Sequence, residues 1–172
     1  MSRAKKPSAV PEATGFLVAD GNGGFSPATA QQLIEAAREV AARHLAKGTP
    51  LNSPNEVREC LPALLGGYPQ ERFGVLFLDS QNRLIAYEEM FRGTLTSTVV
   101  YPREVVKAAL GHNAASVILA HNHPSGTLEP SQADIRITQH IKEALALLEI
   151  RVTDHFIATG TATVSMAEKG LL

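Results

Sequence analysis

The chain has 172 residues, 16 Lys and Arg against 17 Asp and Glu for a formal charge of −1, one cysteine and 44% apolar residues. That length suits one compact domain plus an appendage, and a single cysteine excludes a disulfide framework or a zinc site built on several thiolates. No apolar run approaches the roughly 20 residues that span a bilayer, and the balanced charge argues against a strong nucleic-acid binder, whose footprint is usually basic. The charged start, Met1 to Pro7, is followed by no apolar stretch of the kind a secretory signal needs, so the expected location is cytoplasmic, with no membrane partner.

In chain order, residues 1–25 carry Pro7, Pro11 and the glycine-rich run 21–24 with little periodicity, and read as a flexible tail. Ser26 and Pro27 predict an N-cap and a first helical position. Ala30, Leu33, Ile34, Ala37, Val40, Ala41 and Leu45 then recur at helical spacing until Gly48, so residues 26–52 read as a helix and linker. That helix either packs on the domain or offers a homodimer surface. Ser53, Pro54 and Glu56 form a second start signal, with Leu61, Leu64 and Leu65 as the apolar face and Gly66 and Gly67 as the stop.

From there the pattern changes to strands. Phe73 to Leu78 is an apolar run of strand formers, 79–82 a turn, 83–91 the returning strand and 96–100 a third strand. Pro102 opens a helix through Val105, Val106, Ala109 and Leu110, and Ser116 to Ala120 has the composition of a buried strand. A helix from about Ser131 to Leu148 and a closing hairpin, 152–159 with 162–166, complete the chain. Interleaved strands and helices predict a sheet flanked by helices, α/β or α+β.

The chemistry concentrates in 120–134. His121 and His123 lie two apart where the apolar run ends, and residues i and i+2 of an extended backbone point to one side. Pro124 and Gly126 turn the chain back, and Asp134 falls in the first turn of the next helix. Two histidines and a carboxylate are a common catalytic zinc set that leaves a position for water. Each part also has a plainer reading. A His-x-His can be a structural or surface pair, and Ser131 with Asp134 is a capping box whether or not metal binds. His44 and His140 read as solvated, and His112 as a favourable charge at a helix end. Asp154 and His155 read either as a buried hydrogen-bonded pair or as outer support that orients a ligand. A cytidine-deaminase site would need further cysteines, a cupin barrel conflicts with the helices, and the His-Glu-x-x-His motif is absent.

The spacing His121-x-His123, seven residues, Ser131, two residues, Asp134 resembles the JAMM motif of JAB/MPN-domain metalloproteins. The wording His-Asn-His-Pro-Ser-Gly over 121–126, followed by Pro130, Ser131, Asp134 and Thr138, resembles the RadC-like branch in particular. Further matches run from Glu71 to Asp79, through Asn82 to Ile85, Gly93 and Thr94, Pro102 to Glu104 and Asp154 to Ile157, to Gly170, Leu171 and Leu172, and the resemblance covers 53–172. It implies a JAB/MPN domain over 53–172, a curved mixed sheet flanked by helices and related to the cytidine-deaminase fold. It implies one Zn²⁺ per chain held by His121, His123 and Asp134, a general base at Glu71, and an oxyanion-stabilising hydroxyl at Ser131. The residues alone leave Glu88, Glu89 and Glu129 open as the base. Full-length RadC proteins carry an N-terminal helix-hairpin-helix DNA-binding module. Residues 1–50 are too short for it and lack its glycine pattern, so a short form is expected.

The expected activity is therefore zinc-dependent hydrolysis of an amide bond, peptide or isopeptide, in a peptide or protein substrate. The alternative, from the RadC resemblance, is a non-catalytic or DNA-associated accessory protein linked to DNA repair or recombination that keeps the fold; the near-zero charge argues against strong DNA binding.

Overall fold

The computed structural model describes residues 15–19, 23–93 and 99–172. In chain order the elements are β1 (Leu17–Ala19), β2 (Phe25–Pro27), α1 (Ala30–His44), α2 (Pro54–Arg58), α3 (Leu61–Leu65), β3 (Arg72–Leu78), β4 (Leu84–Arg92), α4 (Pro102–Gly111), β5 (Ser116–Asn122), α5 (Gln132–Ala146), β6 (Arg151–Ala158) and β7 (Thr163–Ser165). Five strands form one mixed sheet in the order β4-β3-β5-β6-β7. Only β5 and β6 run parallel, with α5 as the crossover between them; the other neighbours are antiparallel. The α/β class expected from the interleaved pattern is the one observed.

The pleat divides the core in two. Val75 and Phe77 of β3 and Val117 and Leu119 of β5 face α4 and α5, where Val105, Ala109, Ile141 and Leu145 meet them. Leu76, Leu78, Ile118 and Ala120 turn the other way, onto Leu45, Leu61 and Leu65. Because helices cover both faces, β3 and β5 read in sequence as continuous apolar runs rather than alternating ones. Each fully buried Leu, Val or Phe contributes about 1.5–3 kcal/mol, so these two central strands are the most firmly held frame available to a functional site. Between β3 and β4, the Asp79 Oδ1 accepts from the backbone N–H of Gln81 and Arg83 at 2.8 and 2.9 Å, and Asn82 takes φ 56°. A short asparagine side chain tolerates that left-handed conformation.

The N-terminal elements differ from the sequence pattern. Within 15–27, read as tail and helix start, β1 and β2 pair antiparallel from Leu17 opposite Pro27 to Ala19 opposite Phe25. The first helix starts at Ala30 because Thr29 and Gln32 form the reciprocal capping box that Ser26 and Pro27 only resemble. Pro27 ends a strand instead, a place where its missing N–H costs no ladder bond. Beyond it, Ser53 and Glu56 make the expected capping box. The single helix expected through Leu65 is two short ones, since Pro62 cannot continue a preceding helix and lies in the first turn of a new one. Of the third strand expected at 96–100, residues 96–98 lie outside the described residues, and Val99 and Val100 are not in a strand. Among the described residues, no helix is long and apolar enough to cross a membrane.

Candidate metal centre

His121 belongs to the same pleat as Val117 and Leu119 and so faces α5 from a fully buried strand. His123 lies one residue past the strand, where its N–H donates to the Ala158 carbonyl of β6 at 2.9 Å and keeps the chain extended. Both imidazoles therefore share one face. The loop then doubles back: Gly126, at φ +82°, donates its N–H to the His123 carbonyl at 3.1 Å. Ser131 caps α5, accepting from Asp134 N at 3.1 Å, while Asp134 Oδ2 accepts from Ser131 N at 2.7 Å and Oγ at 2.6 Å. The positive end of the α5 dipole adds to the stabilisation of this carboxylate.

These elements bring the three expected ligands together. His121 Nε2 lies 3.0 Å from His123 Nε2 and 3.2 Å from Asp134 Oδ1, and His123 Nε2 lies 3.5 Å from Asp134 Oδ2. The other ring nitrogens are engaged. His123 Nδ1 is 2.7 Å from the Thr127 carbonyl, which can only accept, so Nδ1 carries the hydrogen. His121 is set through a longer chain. Thr138 Oγ1 has one hydrogen and donates it to the Asp134 main-chain carbonyl at 2.5 Å. At 2.5 Å from that hydroxyl, His155 Nδ1 must then be the donor, and the neutral ring's Nε2 accepts from His121 Nδ1 at 2.8 Å. His155 is neutral because complete burial, with the charge of His121 next, pushes its pKa well below the ordinary value.

With Nδ1 bearing a hydrogen on both rings, the neutral form of each imidazole has its Nε2 lone pair toward Asp134, and a proton or a metal ion on Nε2 is what binds the carboxylate. Three acceptor groups converge, their ligand atoms all within 4.8 Å of one another, and such a cluster requires a positive charge. The electrostatics run that way. The hydrogen bond to Asp134, opposed by burial, raises the His123 pKa. For Asp134 burial pulls upward, but the hydrogen bonds to His121 and His123 prevail and hold the carboxyl well below the usual range. A borderline-soft dication with nitrogen and oxygen ligands fits this donor set.

The cluster forms one wall of a cleft of about 430 Å³ that Glu71, Glu129 and Ser131 also line. Glu71 precedes Phe73 by two residues and continues its pleat. Phe73 pairs with His121 across β3 and β5 and stacks on its ring at 6.2 Å, so Glu71 comes level with His123, whose pKa its charge helps to raise. The other glutamates are engaged elsewhere. Glu88 lies 2.6 Å from His112 Nε2, Glu89 pairs with Arg72 at 2.7 Å, and Glu129, at the cleft rim, pairs with Lys169 at 2.8 Å. Asp154 and His155 are buried and linked, the His155 N–H donating to Asp154 Oδ1 at 2.7 Å, while their side chains serve different neighbours. His155 joins the histidine chain, whereas Asp154 accepts from Ser165 Oγ at 2.6 Å and the Ala167 N–H at 3.1 Å and anchors the chain after β7. His140 is exposed, and His112 lies over the Phe77 ring at 4.6 Å. Sequence spacing marked Thr138 and His155, but their connection to His121 depends on the parallel pairing of β5 with β6.

A family profile described as the RadC-like JAB domain matches residues 51–171. The chain is 55% identical to a UPF0758 protein of Herminiimonas arsenicoxydans and 56% to one of Janthinobacterium sp. (strain Marseille), each over 91% of this chain and 70% of the relative. It is 52% identical to a UPF0758 protein of Leptothrix cholodnii over 92% of this chain and 75% of that one.

Proposed function

We propose, on the premise that this chain belongs to the RadC-like JAB-domain family, that it is a zinc-dependent hydrolase of amide bonds in peptides or proteins. The observation that carries this reading is the convergence of two imidazole lone pairs and a carboxylate in an open cleft that a second carboxylate borders. His121, His123 and Asp134 would hold one zinc, which when bound lowers the pKa of water from about 15.7 to near 7 and polarises a carbonyl. Glu71 takes the proton from the attacking water and delivers it to the leaving amine. Ser131, at the cleft with its hydroxyl donating to Asp134 Oδ2, turns that hydroxyl to the developing oxyanion when the carboxylate holds the metal. His155 and Thr138 keep His121 in the tautomer that leaves Nε2 free. Phe73, stacked on His121, excludes water from the back of the ring.

The test is hydrolysis of quenched fluorogenic peptide and isopeptide libraries by zinc-loaded protein. Cleavage that falls by about 100-fold or more in Glu71→Gln supports the reading, in line with the usual contribution of a general base. Cleavage unchanged in Glu71→Gln contradicts it. No cleavage, combined with binding to duplex DNA that weakens steeply with salt, would instead favour the DNA-associated accessory role.

A further inference from the structure

Asn122 lies between the two histidines but on the opposite pleat, turned away from the cleft and 2% exposed. Its carboxamide is fully used. Oδ1 accepts from the Arg72 N–H at 2.7 Å, and Nδ2 donates to the Gln70 carbonyl at 3.1 Å. Those two groups bracket Glu71. From the other strand, the Gly93 N–H donates to the Glu71 carbonyl at 2.8 Å. The pairing of β3 with β5 begins only at Phe73 opposite His121, so residues 70–72 lie beyond the last ladder pair. Without the carboxamide, nothing in that ladder ties the backbone of Glu71 to the strand that bears His121 and His123.

We propose that Asn122 is a positioning residue: by clamping the peptide groups on either side of Glu71 from the rear of the sheet, it sets the place of the Glu71 carboxylate relative to His121 and His123. This rests on the reading of Glu71 as the base. The histidines and the clamp are neighbours on one strand, so a shift of β5 carries both ligands and base together. A carboxamide suits the task because it offers one acceptor and one donor in a plane, matching one N–H and one C=O about a single residue. A serine hydroxyl is too short to span both, and leucine fills the space with neither bond.

The experiment compares wild type, Glu71→Gln, Asn122→Ser, Asn122→Leu and Asn122→Ser/Glu71→Gln, each as the full chain loaded with Co²⁺. Co²⁺ affinity and the pH midpoint of the visible cobalt absorption are measured, and thermal melts identify variants that fold. Asn122→Ser keeps the test open if the leucine variant does not fold. A neighbouring carboxylate disfavours a second negative charge, so Glu71→Gln moves the midpoint down by about one pH unit. The proposal expects Asn122→Ser to move it the same way, with Co²⁺ affinity unchanged within about threefold, far less than the 10–100-fold typical of a residue that supports a ligand. The double variant goes no further than Glu71→Gln alone, since the clamp acts only through Glu71. A midpoint unmoved by Asn122→Ser while Glu71→Gln moves it, or two shifts that add in the double variant, overturns the role of Asn122. Failure of the wild type to bind Co²⁺ refutes the metal site, and a midpoint that Glu71→Gln leaves in place refutes the Glu71 reading itself.

Discussion

Glu89 and Asp134 are each held by a pair of nitrogen-bearing side chains, and their fates differ. Glu89 on β4 sits between Arg72 and Arg92, and Asp134 on α5 sits between His121 and His123. Their exposures are alike, 20% and 16% of the side chain, and both have pKa values lowered against the pull of burial. The arginines are permanently charged and bring donors, so Glu89 is complete within the protein. The histidines, in their neutral form, bring lone pairs, and their Nδ1 hydrogens are committed to Thr127 and His155. A depressed carboxyl pKa therefore does not distinguish a structural ion pair from a metal site. The difference is whether the partners supply the positive charge or require it.

The largest effect that separates the two is on metal affinity. Asp134→Ala lowers zinc affinity by more than about 100-fold, beyond the loss typical of outer residues, whereas Glu89→Gln leaves it unchanged; competition with a chromogenic chelator reads both. Equal losses in the two variants would erase the distinction. Glu89→Gln leaves the Arg72 guanidinium, which is 16% exposed and stacked on Tyr68 at 3.5 Å, without its carboxylate, and costs about 1–2 kcal/mol by denaturant melts. Arg92 is 70% exposed and adds little to that figure.

A second way to sharpen the contrast is to disturb the hydrogen on His121 alone. His155→Phe keeps an aromatic ring, somewhat larger, for the edge contact with Phe73 but removes the acceptor for His121 Nδ1, so zinc affinity drops by about 10-fold or more. Isothermal titration measures it, and an unchanged affinity would show that the Thr138–His155 chain does not set the tautomer.

The smallest effect is in the pH dependence, and its sign is the informative part. For Glu89 burial works to raise the pKa, but hydrogen bonds from Arg72 and Arg92 outweigh it, and the folded value lies below 4.5. Its stabilisation is complete above about pH 4.5 and is lost as the pH falls through the lower folded value. For His123 the hydrogen bond to Asp134 raises the folded value above 6.5. In metal-free protein that contribution is complete below about pH 6.5 and is lost as the pH rises through the folded value. Zinc needs the neutral ring, so zinc-loaded protein gains stability across the same range. Melting temperatures from about pH 2 to 9, with and without zinc, check both limbs; the same slope near neutrality in both forms would contradict the ligand assignment.

What the sequence made legible follows from how local each signal was. The histidines end an apolar run that the sheet buries on both faces, and Asp134 is marked by its own capping box, so the three candidate ligands, which the fold brings together, could be named from spacing. The start of α1 could not, because Ser26 and Pro27 have the chemistry of a helix start while pairing with Leu17 places them in a strand. The choice among four glutamates was equally non-local. Glu88, Glu89 and Glu129 are engaged by His112, Arg72 and Lys169, partners 24, 17 and 40 positions away. The Asn122 clamp and the His155 relay likewise join segments 52 and 34 residues apart, across strands whose register only the folded sheet sets.

Elemental analysis of protein purified without chelators, wild type beside His121→Ala, decides whether His121, His123 and Asp134 form a metal site or a self-contained polar cluster. A metal site holds close to one zinc per wild-type chain and none in the variant. Less than about half an equivalent in the wild type, unaffected by His121→Ala and not restored by added zinc, would contradict it.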